Sequence, residues 1–295
     1  MSHSETNHRV MRRGSALLSV ARSVEQISRV VACGLTPLQR ARLIDATRSR
    51  AAIVGTSTPA ELYATLEGAV DPVDVVAMGP QSDGRQLHAI IRRLRVERPR
   101  LPVIVYLATS GHQTSTIPEL TQAGAHEIII PGFNDQGDRL LAAMSSARRG
   151  CTERWIMARL SIVVPPRLMP FAEAIIAEPV EIENVPALAA RVGVHRKTLY
   201  NWCESMRFVQ PREFLLWCRL VLVAHYLETT RCTVDTIARD VGFPSPTALR
   251  NTLKRYTGLT ASQLRDAGGL ERFVEIFGAE VSRVRAKETS LRTDV

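Results

Sequence analysis

One short pattern occurs twice in this chain and constrains the fold more than any other feature. Leu188-Ala189-x2-Val192-Gly193-Val194 and Ile237-Ala238-x2-Val241-Gly242-Phe243 share one order of residues, and their glycines lie 49 residues apart. In each, apolar residues at helical spacing run into a glycine, the residue that most readily takes the left-handed backbone of a helix end. Pro186 suits the first turn of one helix, and Thr233 is a natural N-cap for the other. A second helical run follows each glycine, His195–Trp202 in the first copy and Ser245–Tyr256 in the second. Helix, glycine turn, helix is the helix-turn-helix spacing. Leu188, Val192, Leu199 and Trp202 are expected to pack the first pair together.

Arg212–Glu228, between the two copies, reads as one helix of 17 residues, about 25 Å long at 1.5 Å per residue. A rod of that order can set two second helices about 34 Å apart, one turn of duplex DNA. Charge points the same way. The chain carries a net charge of +9, and residues 181–268 hold 12 basic against 8 acidic side chains. Such a balance favours nucleic acid or an anionic membrane. The longest near-apolar run, Phe214–Ala224, has 11 residues and is interrupted by Arg219, whereas a membrane span needs about 20. The N-terminus lacks the long apolar stretch of a secretory signal. The expected setting is the cytoplasm, at the nucleoid, with no membrane partner.

The two Ala-x3-Gly units, the long helix with Arg219 and Ala224-x-Tyr226-Leu227, and the ending Lys254-Arg255-Tyr256-Thr257-Gly258-Leu259-Thr260 with Leu264-Arg265 together resemble the AraC/XylS family of bacterial transcription regulators. The resemblance covers about residues 170–267. It implies an all-α domain at 181–268, with two helix-turn-helix units joined by a long helix, that binds double-stranded DNA. Contact with RNA polymerase is implied by the resemblance alone. The chain departs from the family at Ala248 and Leu249, where many members carry aromatics, at Ala261 in place of proline, and at His195, where a serine often caps the first reading helix. The expected DNA-binding residues are His195, Arg196, Lys197, Tyr200 and Asn201 on the first reading helix, and Ser245, Thr247, Arg250, Asn251 and Lys254 on the second. Arg196 and Lys197 suit guanine or phosphate, and Asn201 suits adenine. Arg250 and Asn251 are expected to read bases, and Lys254 to hold phosphate. Trp202 and Trp217 are expected in the core, and Tyr200 partly so.

The first half alternates short apolar runs with helical ones. The runs are Ile27–Ala32, Ala51–Gly55, Val73–Met78, Pro102–Leu107 and His126–Ile130. The helical segments are Pro37–Arg48, Pro59–Gly68, Gly84–Glu97, Thr116–Ala123 and Gln136–Arg149. Five βα units imply an α/β domain, a five-stranded parallel sheet with helices on both faces, of flavodoxin-like order. Pro-Val-Ile-Val-Tyr at 102–106, Ala-Gly-Ala-His-Glu at 123–127, Ser-Asp-Gly at 82–84 and Pro131 before Phe133 resemble the receiver domain of response regulators. The receiver chemistry does not follow. Ala32, Cys33 and Gly34 stand where receivers carry magnesium-binding carboxylates. Met78 or Gly79 stands at the phosphoacceptor, and Ile130 replaces the lysine. Thr109 or Ser110 could supply the hydroxyl residue, although Leu107 falls nearer its place. Phosphoryl transfer to aspartate needs a carboxylate nucleophile and a metal, so a pseudo-receiver without aspartyl phosphorylation is expected, with Asp83 the rival acceptor.

The organisation expected is a flexible basic arm at 1–24 with Arg9, Arg12 and Arg13, a pseudo-receiver at 25–150, a proline-punctuated connector at 151–180, the DNA-binding block at 181–268, and a short amphipathic helix and tail at 269–295. Five scattered cysteines form no CxxC pair, and His88, His112, His126 and His225 share no metal spacing, so no disulfide framework, metal or cofactor is expected. No nucleophile–base set stands out, so no catalytic residue is assigned. The reading is a sequence-specific transcription regulator, a homodimer, whose receiver-like domain dimerises or takes in a small-molecule or protein signal. The alternative is a pseudo-receiver adaptor that docks another regulator, with DNA contact secondary.

Overall fold

A computed structural model of the chain describes residues 26–79, 84–107 and 117–293. The basic arm, Asp83, Thr109 and Ser110 lie outside the described residues. The chain forms two compact units that divide after Trp155.

The first unit is a five-stranded parallel sheet in the order β2-β1-β3-β4-β5, the flavodoxin-like order expected. Its strands are β1 (Arg29–Cys33), β2 (Ala52–Thr56), β3 (Val75–Met78), β4 (Val103–Tyr106) and β5 (Glu127–Ile129). Alternate residues point to opposite faces, which sorts the core into two layers. Val31, Cys33, Val76, Met78, Val103 and Val105 face α2 (Pro59–Glu67), α3 (Gly84–Glu97) and α4 (Ile117–Ala123). Val30, Ala32, Val75, Ala77, Ile104 and Ile129 face α1 (Pro37–Ala46) and α5 (Gly137–Leu160). Helix α1 starts on a capping box: Thr36 Oγ1 accepts from Gln39 N–H and Gln39 Oε1 accepts from Thr36 N–H. At the amino end of the sheet, buried Asp74 clamps the strands. Its carboxylate accepts from Ser28 N–H, Ser28 Oγ and Arg29 N–H at 2.7–3.0 Å and pairs with Arg148 of α5 at 3.1 Å.

Helix α5 does not end at Arg149 as the sequence suggests. A glycine inside a helix costs only about 1 kcal/mol, and beyond Gly150 the side chains of Cys151, Ile156 and Leu160 are fully buried. Burial outweighs the local signal, and the helix runs on to Leu160.

The second unit is helical. A 3-10 turn (Pro166–Leu168) leads into α6 (Met169–Ala177), α7 (Val185–Val192), α8 (Arg196–Ser205), α9 (Pro211–Thr229), α10 (Val234–Asp240), α11 (Pro246–Thr257), α12 (Ala261–Asp266) and α13 (Gly269–Thr293). The long central helix α9 is buried nearly all round. Trp217 on α9 stacks on Phe277 at 4.7 Å between centroids and meets Phe273 and Tyr256. Helix α13, read from sequence as short, therefore runs 25 residues and closes one side of this core. The connector 151–180 is packed as well. Leu168, Phe171, Ala172 and Ile175 are fully buried, and Arg219 of α9 donates to the carbonyls of Pro179 and Ile182. Pro165, Pro166 and Pro170 stand at the starts of elements rather than interrupting them, since proline is favoured in a first helical turn.

Candidate nucleic-acid interface

The repeated pattern becomes a repeated backbone. Asn184 caps α7, its Oδ1 accepting from Ala187 N–H at 3.0 Å, and Thr233 caps α10, accepting from Thr236 N–H at 3.2 Å. Both helices end at a glycine with φ 77°, Gly193 and Gly242. After each glycine, the next amide bonds back into the helix it has left: Val194 N–H to Ala189 O, and Phe243 N–H to Ala238 O. A Cβ at Gly242 would also press on the Pro179 carbonyl, so that turn requires glycine twice over.

The second helix of each pair is capped in turn. Ser245 Oγ accepts from Ala248 N–H at 3.1 Å. At the first pair the cap is His195, whose Nδ1 accepts from Lys197 N–H at 3.3 Å. The departure from serine therefore keeps the capping role. It requires an unprotonated Nδ1, because a histidine nitrogen that carries a proton cannot accept.

Aligning α8 and α11 on their caps defines their faces. Leu199 and Cys203 on α8, and Leu249 and Leu253 on α11, are buried. Opposite them, at i, i+4 spacing, lie Lys197 and Asn201 on α8, and Thr247 and Asn251 on α11, all exposed. Asn201 and Asn251 occupy the same position, six residues after the cap, at the centre of the outward face. His195, Arg196 and Tyr200 are exposed at the start and margin of α8, Tyr200 by 41%. Ser245 is half-buried by its capping role, and Lys254 is exposed.

Arg250 also is exposed, but it lies at the margin of the face and pairs with Asp235 of α10 at 3.1 Å. Asp235 escaped the sequence reading, as did Arg255, four residues beyond Asn251, and Glu204, seven beyond Lys197. Helical spacing from the two asparagines is the signal that finds Arg255 and Glu204. Trp217 lies in the core as expected, whereas Trp202 is only half-buried, its ring met edge-on by Phe171.

The carboxyl end of the sheet has a different character. Cys33 and Met78, side by side across β1 and β3, are fully buried, and burial pushes the Cys33 thiol up. Gly79 N–H donates to Cys33 O at 2.8 Å. This approach is so close that a Cβ on Gly79 would collide with the Gly34 carbonyl. The buried carboxylate nearby is Asp135, after β5; it accepts from Gly132 N–H at 2.8 Å and forms an ion pair with Arg42 of α1. Tyr106 ends β4 near the same Arg42, its hydroxyl pushed up to about 12 by burial. Among the described residues no three His, Cys, Asp or Glu side chains group as a metal site, and no helix is long and apolar enough to cross a membrane.

Comparison with known proteins places the helical region first. Residues 188–267 match the model of a helix-turn-helix domain family. The C-terminal region thus carries an AraC-type helix-turn-helix domain. Histidine kinase P4 of Formosa agariphila is 25% identical over 199 residues, covering 63% of this chain; the chain spans only 14% of that protein's length. Two solved structures are similar to the chain at a TM-score of 0.34. Full-length FixJ from B. japonicum is 16% identical and covers 79% of this chain and 98% of its own. The xylose-binding transcription activator xylR is 13% identical and covers 87% of this chain and 74% of its own.

Proposed function

We propose that the protein is a sequence-specific DNA-binding transcription regulator whose α/β unit serves as a dimerisation or signal-input module, without control by aspartyl phosphorylation. The observation that carries the reading is the pair of side-chain-capped helices presenting Asn201 and Asn251 at matching outward positions, inside a helix-turn-helix domain. Asparagine pairs bidentately with adenine N6 and N7 in the major groove. Each reading helix therefore addresses one half-site with an adenine near its centre. Arg196, Lys197, Lys254 and Arg255 surround these positions with charge suited to guanine or phosphate. His195 and Ser245 hold the helix starts at which reading helices enter the groove, Tyr200 lines one margin of α8, and Thr247 offers its hydroxyl beside Asn251. Arg250 reads from the margin of α11, oriented by Asp235.

The apolar Cys33–Met78 pair and the closed Gly79 position support the absence of phosphoryl chemistry at the end of β3. The protein acts as a homodimer in the cytoplasm, at the nucleoid, does no covalent chemistry, and contacts RNA polymerase from its DNA site. Leu38 and Phe133, 61% and 64% exposed on the α/β unit, are suited to a docking or dimer surface.

Selection of random duplex DNA by the full chain at physiological salt tests the reading. The expected product is two sequence blocks about one helical turn apart, each containing an adenine. No enrichment would replace it with the adaptor reading, in which the α/β unit docks another regulator. Treatment with acetyl phosphate and magnesium should leave the intact mass unchanged; a phosphoryl group on Asp83 would overturn that part.

A further inference from the structure

Arg167 lies outside the 188–267 match and outside both reading helices. It sits on the Pro166–Leu168 turn. Pro165 and Pro166 restrict the backbone and Leu168 is fully buried, so the position of its Cα is well determined. Its side chain is exposed and faces no carboxylate among the described residues. Instead the guanidinium carbon stands 4.1 Å from the centre of the Trp202 ring, while Phe171 supports the same ring at 6.0 Å. A tryptophan face attracts a guanidinium and holds its plane, and the N–H donors at the rim of that plane stay free.

The placement of Trp202 gives this stack a meaning. Tyr200 and Trp202 flank Asn201 in sequence, so on a helix of 3.6 residues per turn they lie to either side of it. A helix in the major groove has a phosphate backbone along each margin, because the groove is about 12 Å wide and walled by the two strands. We propose that Arg167 extends the DNA-contacting surface beyond the helix-turn-helix pair and binds a backbone phosphate alongside α8. The inference rests on the DNA-binding reading above. The corresponding position in the second pair is Thr252, so the second reading helix has no tryptophan there to hold such an arginine. Guanidinium and phosphate form paired, charge-assisted hydrogen bonds, and a contact of this kind positions the helix without reading sequence.

Titration of the full chain on a mixed-sequence duplex between about 50 and 200 mM salt tests this, because each phosphate contact contributes about 0.9 to the slope of log K against log salt. Arg167→Ala and Arg167→Gln should each lower the slope by about one and weaken binding about five- to tenfold at 0.1 M salt, equally on every sequence. An unchanged slope in both variants, with or without a lower melting temperature, assigns Arg167 to packing on Trp202 and overturns the proposal while DNA binding stands. Failure of the wild-type chain to bind the duplex at low salt overturns both. The glutamine variant retains most of the side chain's length, so it keeps the test valid if the alanine variant folds poorly.

Discussion

The two units of this chain use polar side chains in opposite ways. In the α/β unit the informative polar groups are turned inward and paired. Asp74 is held by two amides, a hydroxyl and Arg148, Asp135 by an amide and Arg42, and His126 by the Val103 amide. In the helical unit Lys197, Asn201, Thr247, Asn251 and Lys254 are exposed, and their side chains bond to no other side chain among the described residues. A buried polar group stabilises a fold only when its partners are complete, whereas a group meant for a partner molecule must keep its donors free. Mutation should therefore lower stability in one unit and recognition in the other.

The largest effect is expected at Asp74. Asp74→Ala leaves two amides and the Ser28 hydroxyl without their acceptor and Arg148 without its carboxylate, and removal of one member of a buried pair costs about 3–5 kcal/mol. Chemical denaturation should show that loss in the transition of the α/β unit. A cost below about 1 kcal/mol would break the comparison at its strongest point.

His126 gives the next effect and depends on pH. Burial, with Arg154 and Arg95 nearby, lowers it to about 4 from an ordinary 6.5. Between those values the unfolded chain binds a proton that the folded one refuses. Stability is thus complete above pH 6.5, falls as pH drops from 6.5 to 4, and levels below. At 1.36 kcal/mol per unit the loss is about 3 kcal/mol. Denaturation midpoints at pH 7 and 4.5, compared with a His126→Asn variant, should show the wild type losing more stability on acidification; equal losses would remove His126 from the account.

Asn251→Ala should leave melting within about 0.5 kcal/mol, as exposed substitutions do, and cost about 1–3 kcal/mol on the selected site, relaxing one adenine. Arg250→Ala is expected to fall in the same range and relax a different base; a uniform loss on all sequences would assign it to phosphate. The smallest effect concerns Asp235. Both members of its pair with Arg250 are more than half exposed, and such pairs are worth less than about 1 kcal/mol. Asp235→Ala should hardly move the melting curve, yet weaken the base preference set by Arg250. A gain in affinity on every sequence would show instead that the carboxylate only repels phosphate.

This contrast also explains what could be read from the sequence. Signals that act over a few residues were legible: the five apolar runs gave the sheet and its order, α3 has the limits its pattern indicates, and Thr233 and Ser245 begin helices as their residue types suggest. The outward positions of Asn201 and Asn251 follow from helical spacing alone. Asp74 and Asp135 could not be found this way, since Arg148 and Arg42 are far away in the chain. Arg250 was legible as an exposed cation, but its partner Asp235 belongs to another helix. Gly150 misled because burial by distant segments, which no local pattern records, decided that the helix went on to Leu160. Trp202 was read as core by residue type, and only the position of Arg167 shows why its ring is half open.

The contact between Gly79 and Gly34 limits what can stand at the end of β3. At the carboxyl end of β3 the backbones of two loops lie too close together for any side chain at position 79. An aspartate introduced at position 79 would meet the Gly34 carbonyl before it met a phosphate. Any side chain at that position requires the turn after β1 to be rebuilt first. A carboxylate at position 79 is thus a change of two loops rather than of one residue.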